Sequence, residues 1–342
     1  INKTVPQKSE NEVKSLNWVL NFHKIIKANG DSYDYCRDYY GYHPDAITNE
    51  RKIKSFKLSD ISTLNEKYDA LFFIDNTGVD LPEGSSHTYL KHYGGFNQNE
   101  YVLLKDMKSA GKLVIAEYNF FSEPTEDLVR YNTEQLIDMY SIGWKGKYCK
   151  NLNSKKVDEN IDSKWIDRYK EYYNENWDFD GPGIILLNKA QNRIIVLSAD
   201  EFMNESFPSI VTSEEMEEKY HLPGSVPFTG WFEIMYSGQN EVISSLNLNI
   251  NEKGSEILMR NGLESEFPVV IKSRDSNFIL FAGDFSKQKL CLANSKFRIV
   301  SDVIHRISHN MDHNPKRFLH TYYEPLLTTI FTNYYDEQQA GD

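Results

Sequence analysis

Two continuous apolar runs constrain this chain more than any other feature: "YDALFFID" from Tyr68 to Asp75, which closes on an acid, and "KLVIAEYN" from Lys112 to Asn119, which ends in Glu117-Tyr118-Asn119. Unbroken hydrophobicity over strand length suits a strand covered on both faces, as in a parallel sheet. Between the runs, Asn97 and Glu100 form a capping pair for a helix carrying Leu103, Leu104 and Met107, which Gly111 stops. After the second run Thr125, Glu126 and Asp127 open a helix with Leu128, Val129, Leu136 and Ile137; acids at that end suit its dipole. Strand and helix alternating through short links predict an α/β fold with a doubly wound, mainly parallel sheet. Right-handed crossovers then bring Asp75 and Glu117 to one edge.

The rest is elaboration. Glu12 to Ala28 carries Leu16, Val19, Leu20, His23 and Ile26 at helical spacing, and Ser163 to Trp177 reads as an aromatic-rich helix. "GIILLN" and "RIIVLS" form a hairpin, and strands dominate from Trp231 to Phe285. Ser301 to Tyr335 reads as helices interrupted at Pro315 and Pro325. With no internal repeat or low-complexity linker, the 342 residues are expected to form one composite domain. Its parts are an α/β core over 1–150, an insertion-rich middle over 151–230, and closing strands with C-terminal helices over 231–342.

A net charge of -12 makes nucleic acid and anionic membrane surfaces poor partners. Cys36, Cys149 and Cys291 are too widely spaced for a disulfide framework or a zinc pattern. His305, His309 and His313 fall four apart, but Asn310, Asp312, Asn314 and Pro315 end the helix that would align them. A solvated face is expected there; neither a metal nor a cofactor is expected anywhere. No apolar run is long enough to span a membrane. The opening "INKTVP" reads as the tail of a strand, which fits either an upstream signal or anchor or a trimmed start. Oligomeric state is not legible.

Asp75 and Glu117 are the leading candidates for chemistry. Two carboxylates at neighbouring strand ends can divide acid, base or nucleophile roles in glycoside hydrolysis, or hold a ligand. They can equally cap backbone N–H groups or pair with Arg130. Thr77 and Gly78 in "DNTG", and Gly94 and Gly95 in "YGGFNQNE", lie in loops where backbone can approach a ligand or simply turn tightly. Asn119 and Arg130 are expected to orient Glu117. Trp144, between glycines in "GWKGKY", is the aromatic expected to face a sugar, with Trp177 and Trp231 behind it; core packing is the alternative.

"YDALFFIDNTG", a helix, then "GKLVIAEYN" is similar in order and spacing to the core of class I glutamine amidotransferase-like domains. "FPVVIKSRDSNFILFAGDF" resembles a closing hairpin of glutamine amidotransferase-like and trehalose-utilisation-like proteins. As a set, "NKTVP", "DYYGYHPD", "DNTGV", "YGGFNQNE", "PTEDLVR", "GWKGKY", "GWFEI" and "AGDF" resemble a group of uncharacterised bacterial proteins of that flavodoxin-like fold. The resemblance implies an extracytoplasmic protein tethered through an N-terminal anchor; a cytoplasmic one is the alternative. At the elbow, where the amidotransferases hold a catalytic Cys, this chain has Glu117 and Tyr118. A carboxylate is a poor nucleophile toward an amide, so glutaminase activity is disfavoured. The leading expectation is a non-amidotransferase member binding a small polar or carbohydrate ligand at the strand ends. A carboxylate-dependent glycan hydrolase and a partner-binding module of an envelope assembly are the alternatives.

Overall fold

The computed structural model describes residues 1–4, 12–44, 51–80, 92–155, 161–287 and 318–341. The first third runs α1 (Val13–Phe22), β1 (Gly41–Pro44), β2 (Arg51–Lys54), α2 (Ile61–Lys67), β3 (Ala70–Phe73), β4 (Val79–Asp80), β5 (His92–Tyr93), α3 (Gln98–Ser109) and β6 (Leu113–Ala116). The middle holds α4 (Asp127–Ile137), β7 (Tyr140–Cys149), α5 (Ser163–Tyr173), β8 (Gly183–Asn188), β9 (Arg193–Ser198), α6 (Ala199–Phe202), β10 (Ser209–Val211), α7 (Glu214–Tyr220) and β11 (Ser225–Pro227). The chain closes with β12 (Trp231–Tyr236), β13 (Glu241–Asn247), α8 (Glu252–Arg260), β14 (Glu266–Lys272), β15 (Phe278–Phe281) and α9 (Glu324–Gly341).

The central sheet has seven strands in the order β11-β10-β13-β14-β15-β6-β3. It is α/β but mixed, which corrects the expected mainly parallel sheet. Only β15, β6 and β3 run parallel; every other pairing is antiparallel. The reason is connection length. Five residues join β14 to β15, enough for a hairpin and too few for the crossover a parallel neighbour needs. Ile1 to Lys3 continue the parallel part. Ile74 N–H donates to the Ile1 carbonyl at 2.9 Å, while Tyr42 N–H donates to the Asn2 carbonyl at 3.2 Å. The opening residues thus lie between β3 and β1.

A second, antiparallel sheet has the order β12-β7-β8-β9. Its strands β8 and β9 alternate between two cores. Ile184, Leu186, Ile195 and Leu197 join the main core, whereas Ile185, Leu187, Ile194 and Val196 pack beneath Tyr169 of α5. Both faces being covered, these antiparallel strands also read as unbroken apolar runs. Continuity in the sequence reports burial, and strand direction is set elsewhere.

The cap on α3 forms as its sequence dictates: Asn97 accepts from Asn99 and Glu100 N–H groups, and Glu100 accepts from Asn97 N–H. Thr125 does not open α4; its hydroxyl accepts Phe96 N–H at 2.8 Å instead. Pro325 does not interrupt the last helix. A π-helical turn over Leu319–Tyr323 precedes it, with Glu324 N–H reaching the Leu319 carbonyl, and α9 continues through the proline. A wider turn accommodates the bond that Pro325 cannot donate. Among the described residues no helix is long and apolar enough to cross a membrane.

Candidate functional site

The three parallel strands end in one row of acids. In register, Phe73 of β3, Ala116 of β6 and Leu280 of β15 are level. Just beyond them come Asp75, Glu117 and Asp284, and Glu12 joins from the residue before α1. All four are buried. The carboxyl ends of parallel strands are where α/β folds place ligands, because the connecting loops diverge there.

Asp75 is held by three donors. Its Oδ1 accepts from the Thr4 hydroxyl and Thr77 N–H, both at 2.7 Å, and its Oδ2 accepts from the Asn119 amide at 3.0 Å. Thr4 in turn accepts Gly78 N–H at 2.6 Å. Asn119 adopts a left-handed φ of 68°, which asparagine tolerates better than most residues. That turn aims its amide group across the site. The Asn119 carbonyl oxygen accepts from Lys145 Nζ at 2.6 Å, and Lys145 also donates to the Ser122 hydroxyl. One amide group therefore spans an acid from the central sheet and a lysine from the second.

Glu117 is 1 % exposed. Its Oε1 accepts Ser286 N–H at 2.5 Å, and its Oε2 has no hydrogen-bond partner among the described residues. Burial, then the neighbouring Asp284, push its carboxyl well above the ordinary range, and Ser286, through its N–H and hydroxyl, and Phe285 N–H only partly offset them. Glu12 is raised likewise by burial and by Asp284 and Asp75. Asp284 is raised by burial to about 7, with Lys287 opposing and Asp75 reinforcing the shift. Lys287 Nζ lies 4.0 Å from Glu12 and 3.9 Å from Asp284, on a side chain two-thirds exposed, so its compensation is loose.

An aromatic wall borders the acids. Tyr118 stacks on Trp231 with centroids 6.4 Å apart, and Trp165 meets Trp231 edge-on at 5.8 Å. Lys145 Nζ sits 5.1 Å over the Tyr118 ring and Lys147 Nζ 5.9 Å over that of Trp231. The wall reaches the site because Glu233 N–H donates to the Ala282 carbonyl and Asp284 N–H to the Trp231 carbonyl, which zips β12 onto the chain leaving β15.

Asp75, Glu117, Asn119 and Thr77 thus lie together, with Gly78 N–H tied in through Thr4; the other sequence candidates do not join them. Gly78, Gly94 and Gly95 face the protein's own backbone. A Cβ would lie 1.9 Å from the Tyr93 carbonyl at Gly78, 2.2 Å from that of Thr77 at Gly94, and 2.7 Å from Pro124 at Gly95. These glycines let two loops touch. Neither Asn119 nor Arg130 orients Glu117: the Asn119 amide bonds Asp75 and Lys145, and Arg130 donates to Glu134 at 3.0 Å and to the Ser141 carbonyl at 3.2 Å. Trp144 lies on β7 rather than in a loop, 3 % exposed within the main core. Trp177 is also buried, donating to the Leu152 carbonyl at 2.8 Å. His305, His309, His313 and Cys291 lie outside the described residues. The described residues contain no group of three or more His, Cys, Asp or Glu side chains arranged to hold a metal ion.

Sequence reasoning missed Asp284, Glu12, Lys145 and Thr4. Asp284 had a usable signal, since "FILFAGD" is a third apolar run closing on an acid. Glu12, Lys145 and Thr4 had none, because only the fold brings them near.

The chain is therefore an α/β protein with a mixed central sheet and an acidic cluster at its parallel strand ends. No protein-family profile matches it, and no curated protein does. Among solved structures, a ThuA-like protein from Bacteroides uniformis is similar at 12% identity over 93% of each chain, with a TM-score of 0.33.

Proposed function

We propose that this protein binds a small polar ligand, a carbohydrate or a similar donor of hydrogen bonds, at the carboxyl ends of β3, β6 and β15. In this reading it is a glutamine amidotransferase-like scaffold whose elbow holds no nucleophile. The observation that carries the proposal is the cost of the site. Glu12, Glu117 and Asp284 are buried beside one another and bind protons more tightly than they would in an unfolded chain. Such a cluster weakens the fold, and groups that cost stability are retained where they act on something else. Direct contact falls to Asp75 and Asp284, with Glu117 beneath them and Tyr118 and Trp231 offering flat faces to a ring.

The test is calorimetric titration of the protein with glutamine and a panel of oligosaccharides, repeated on Asp284→Asn and Glu117→Gln. Binding by the parent that weakens in Asp284→Asn supports the reading. Equal binding by all three proteins, or binding to nothing in the panel, overturns it.

A second reading has one observation in its favour. Asp284, pushed up to about 7, is suited to give up a proton near neutrality, while Asp75 beside it is fixed by three donors. If oligosaccharides are cleaved, and cleavage stops in both Asp284→Asn and Asp75→Asn, hydrolysis replaces simple binding.

A further inference from the structure

We propose that Ser122 and Lys145 form a nucleophile–base pair that cleaves esters of small acyl groups. The inference goes beyond the binding reading and does not rest on it. Ser122 lies past the elbow residues Glu117 and Tyr118, in the loop that leads to α4.

Four side chains are linked in a row. Lys145 Nζ donates to the Ser122 hydroxyl and, at 2.6 Å, to Asn119 Oδ1. The Ser122 hydroxyl lies 2.9 Å from the same Asn119 oxygen. Asn119 is held in turn by Asp75, which accepts from its amide at 3.0 Å. A hydroxyl touching a base, with a third group orienting that base, is the arrangement that activates serines on unrelated folds. Both partners are fixed in place. Ser122 N–H donates to the Asn119 carbonyl and Thr125 N–H to the Ser122 carbonyl, each at 3.1 Å. Lys145 sits in β7, paired with Glu233 on one side and Leu187 on the other.

A lysine that merely braced the loop would ordinarily pair with a carboxylate when buried. The hydrogen-bond partners of Lys145 among the described residues are both neutral. Glu233 and Asp75 favour its charged form from further off, as does the Tyr118 ring 5.1 Å away; Lys189 and Arg130 disfavour it. Burial outweighs the acids, so this ammonium releases its proton more readily than an ordinary lysine. The neutral amine keeps one N–H on Asn119 and turns its lone pair to the Ser122 hydroxyl.

The pair is not sealed in. Lys145 is half-buried, Ser122 keeps 9 % exposure, and the adjoining Glu123 side chain is 83 % exposed. So narrow an approach suits an acyl group the size of acetyl. As Ser122 Oγ bonds to the ester carbonyl carbon, its proton passes to Lys145 and the carbonyl oxygen takes the electron pair. The new ammonium stands beside that oxyanion. When the oxyanion collapses, the bond to the alcohol breaks and the alcohol leaves with the proton from Lys145. Water then adds to acyl-Ser122 by the same transfers, releasing the carboxylic acid and the free serine.

The experiment incubates the full chain with a fluorophosphonate and maps the adduct by peptide mass, then follows hydrolysis of p-nitrophenyl acetate across pH. Ser122→Ala, Lys145→Met and Lys145→Arg are compared with the parent, with folding checked by circular dichroism. The adduct is expected on Ser122. Hydrolysis should fall to background in Ser122→Ala and about 100-fold in either lysine variant. The parent rate should rise with pH through a midpoint below that of an ordinary lysine, a rise that Lys145→Arg loses. No adduct on the parent, an adduct elsewhere, or hydrolysis that survives in Ser122→Ala overturns the inference. An unchanged pH profile in Lys145→Arg overturns it as well.

Discussion

Two groups of buried charge sit close together at the same edge of the central sheet, and they are built in opposite ways. Lys3 and Glu100 form a closed pair. The ammonium lies 2.8 Å from the carboxylate and also donates to the Gly95 carbonyl, while Glu100 accepts Asn97 N–H at 2.9 Å. Everything that pair needs is supplied from within. Glu12, Glu117 and Asp284 are also buried, yet the cation nearest to Glu12 and Asp284 is the loosely placed Lys287, and Glu117 has Ser286 N–H on one oxygen only. The first group holds the opening residues to α3 and to the turn before it. The second holds nothing so tightly. A charge that the fold satisfies is architecture; one that it leaves unsatisfied is available to a ligand.

Breaking the closed pair should have the largest effect. Lys3→Met strands Glu100 in the interior, and a loss of about 3–5 kcal/mol is expected in denaturant unfolding. A loss below about 1 kcal/mol would mean that Glu100 finds compensation elsewhere and that the contrast is false.

Neutralising the open group should act in the other direction. Glu117→Gln keeps an acceptor for Ser286 N–H and removes the ionisation penalty. The folded-state proton affinity of Glu117 is raised, so the native protein binds more protons than the unfolded chain above the ordinary carboxylate range. Stability is then greatest in acid and falls as pH rises. The variant escapes that fall, and a gain on the order of 1–3 kcal/mol near neutral pH is expected, vanishing in acid. A loss at neutral pH would move Glu117 from the open group to the closed one.

Arg130 provides the small-effect control. Its pairing with Glu134 is one helical turn apart and partly exposed, so Arg130→Gln should cost about 0.3–0.5 kcal/mol and leave ligand titrations unchanged. A change in ligand affinity would return Arg130 to the site.

Much of this contrast was half-visible in the sequence. The strands carrying Asp75 and Glu117 announced themselves because burial on both faces gives an unbroken apolar run. The same rule concealed the topology: "GIILLN" and "RIIVLS" are equally unbroken and antiparallel, each covered by α5 on one side and the main core on the other. Trp144 looked like a loop residue because Gly143 and Gly146 flank it. Gly146 is in fact a strand residue whose added Cβ would lie 2.1 Å from the Phe232 ring. Lys3 and Glu100 are 97 positions apart, so no local pattern could show that one closes the other. Lys145 is linked to Asp75 through the turn at Asn119, and a left-handed asparagine leaves no periodic signal.

The central claim is that the strand-end acids are held against the interest of the fold, and Asp284 tests it most directly. Its carboxyl is raised from 3.8 to about 7, so between those values the folded protein takes up a proton that the unfolded chain has released. Any stabilising share is present in acid and lost as pH climbs through that window. The measurement is the unfolding free energy of the parent and of Asp284→Asn, by urea titration at about pH 4 and about pH 8. We predict near-equality at the lower pH and an advantage of a few kcal/mol at most for the variant at the higher. A variant less stable than the parent at the higher pH would show that Asp284 is a satisfied structural group, and would contradict the account.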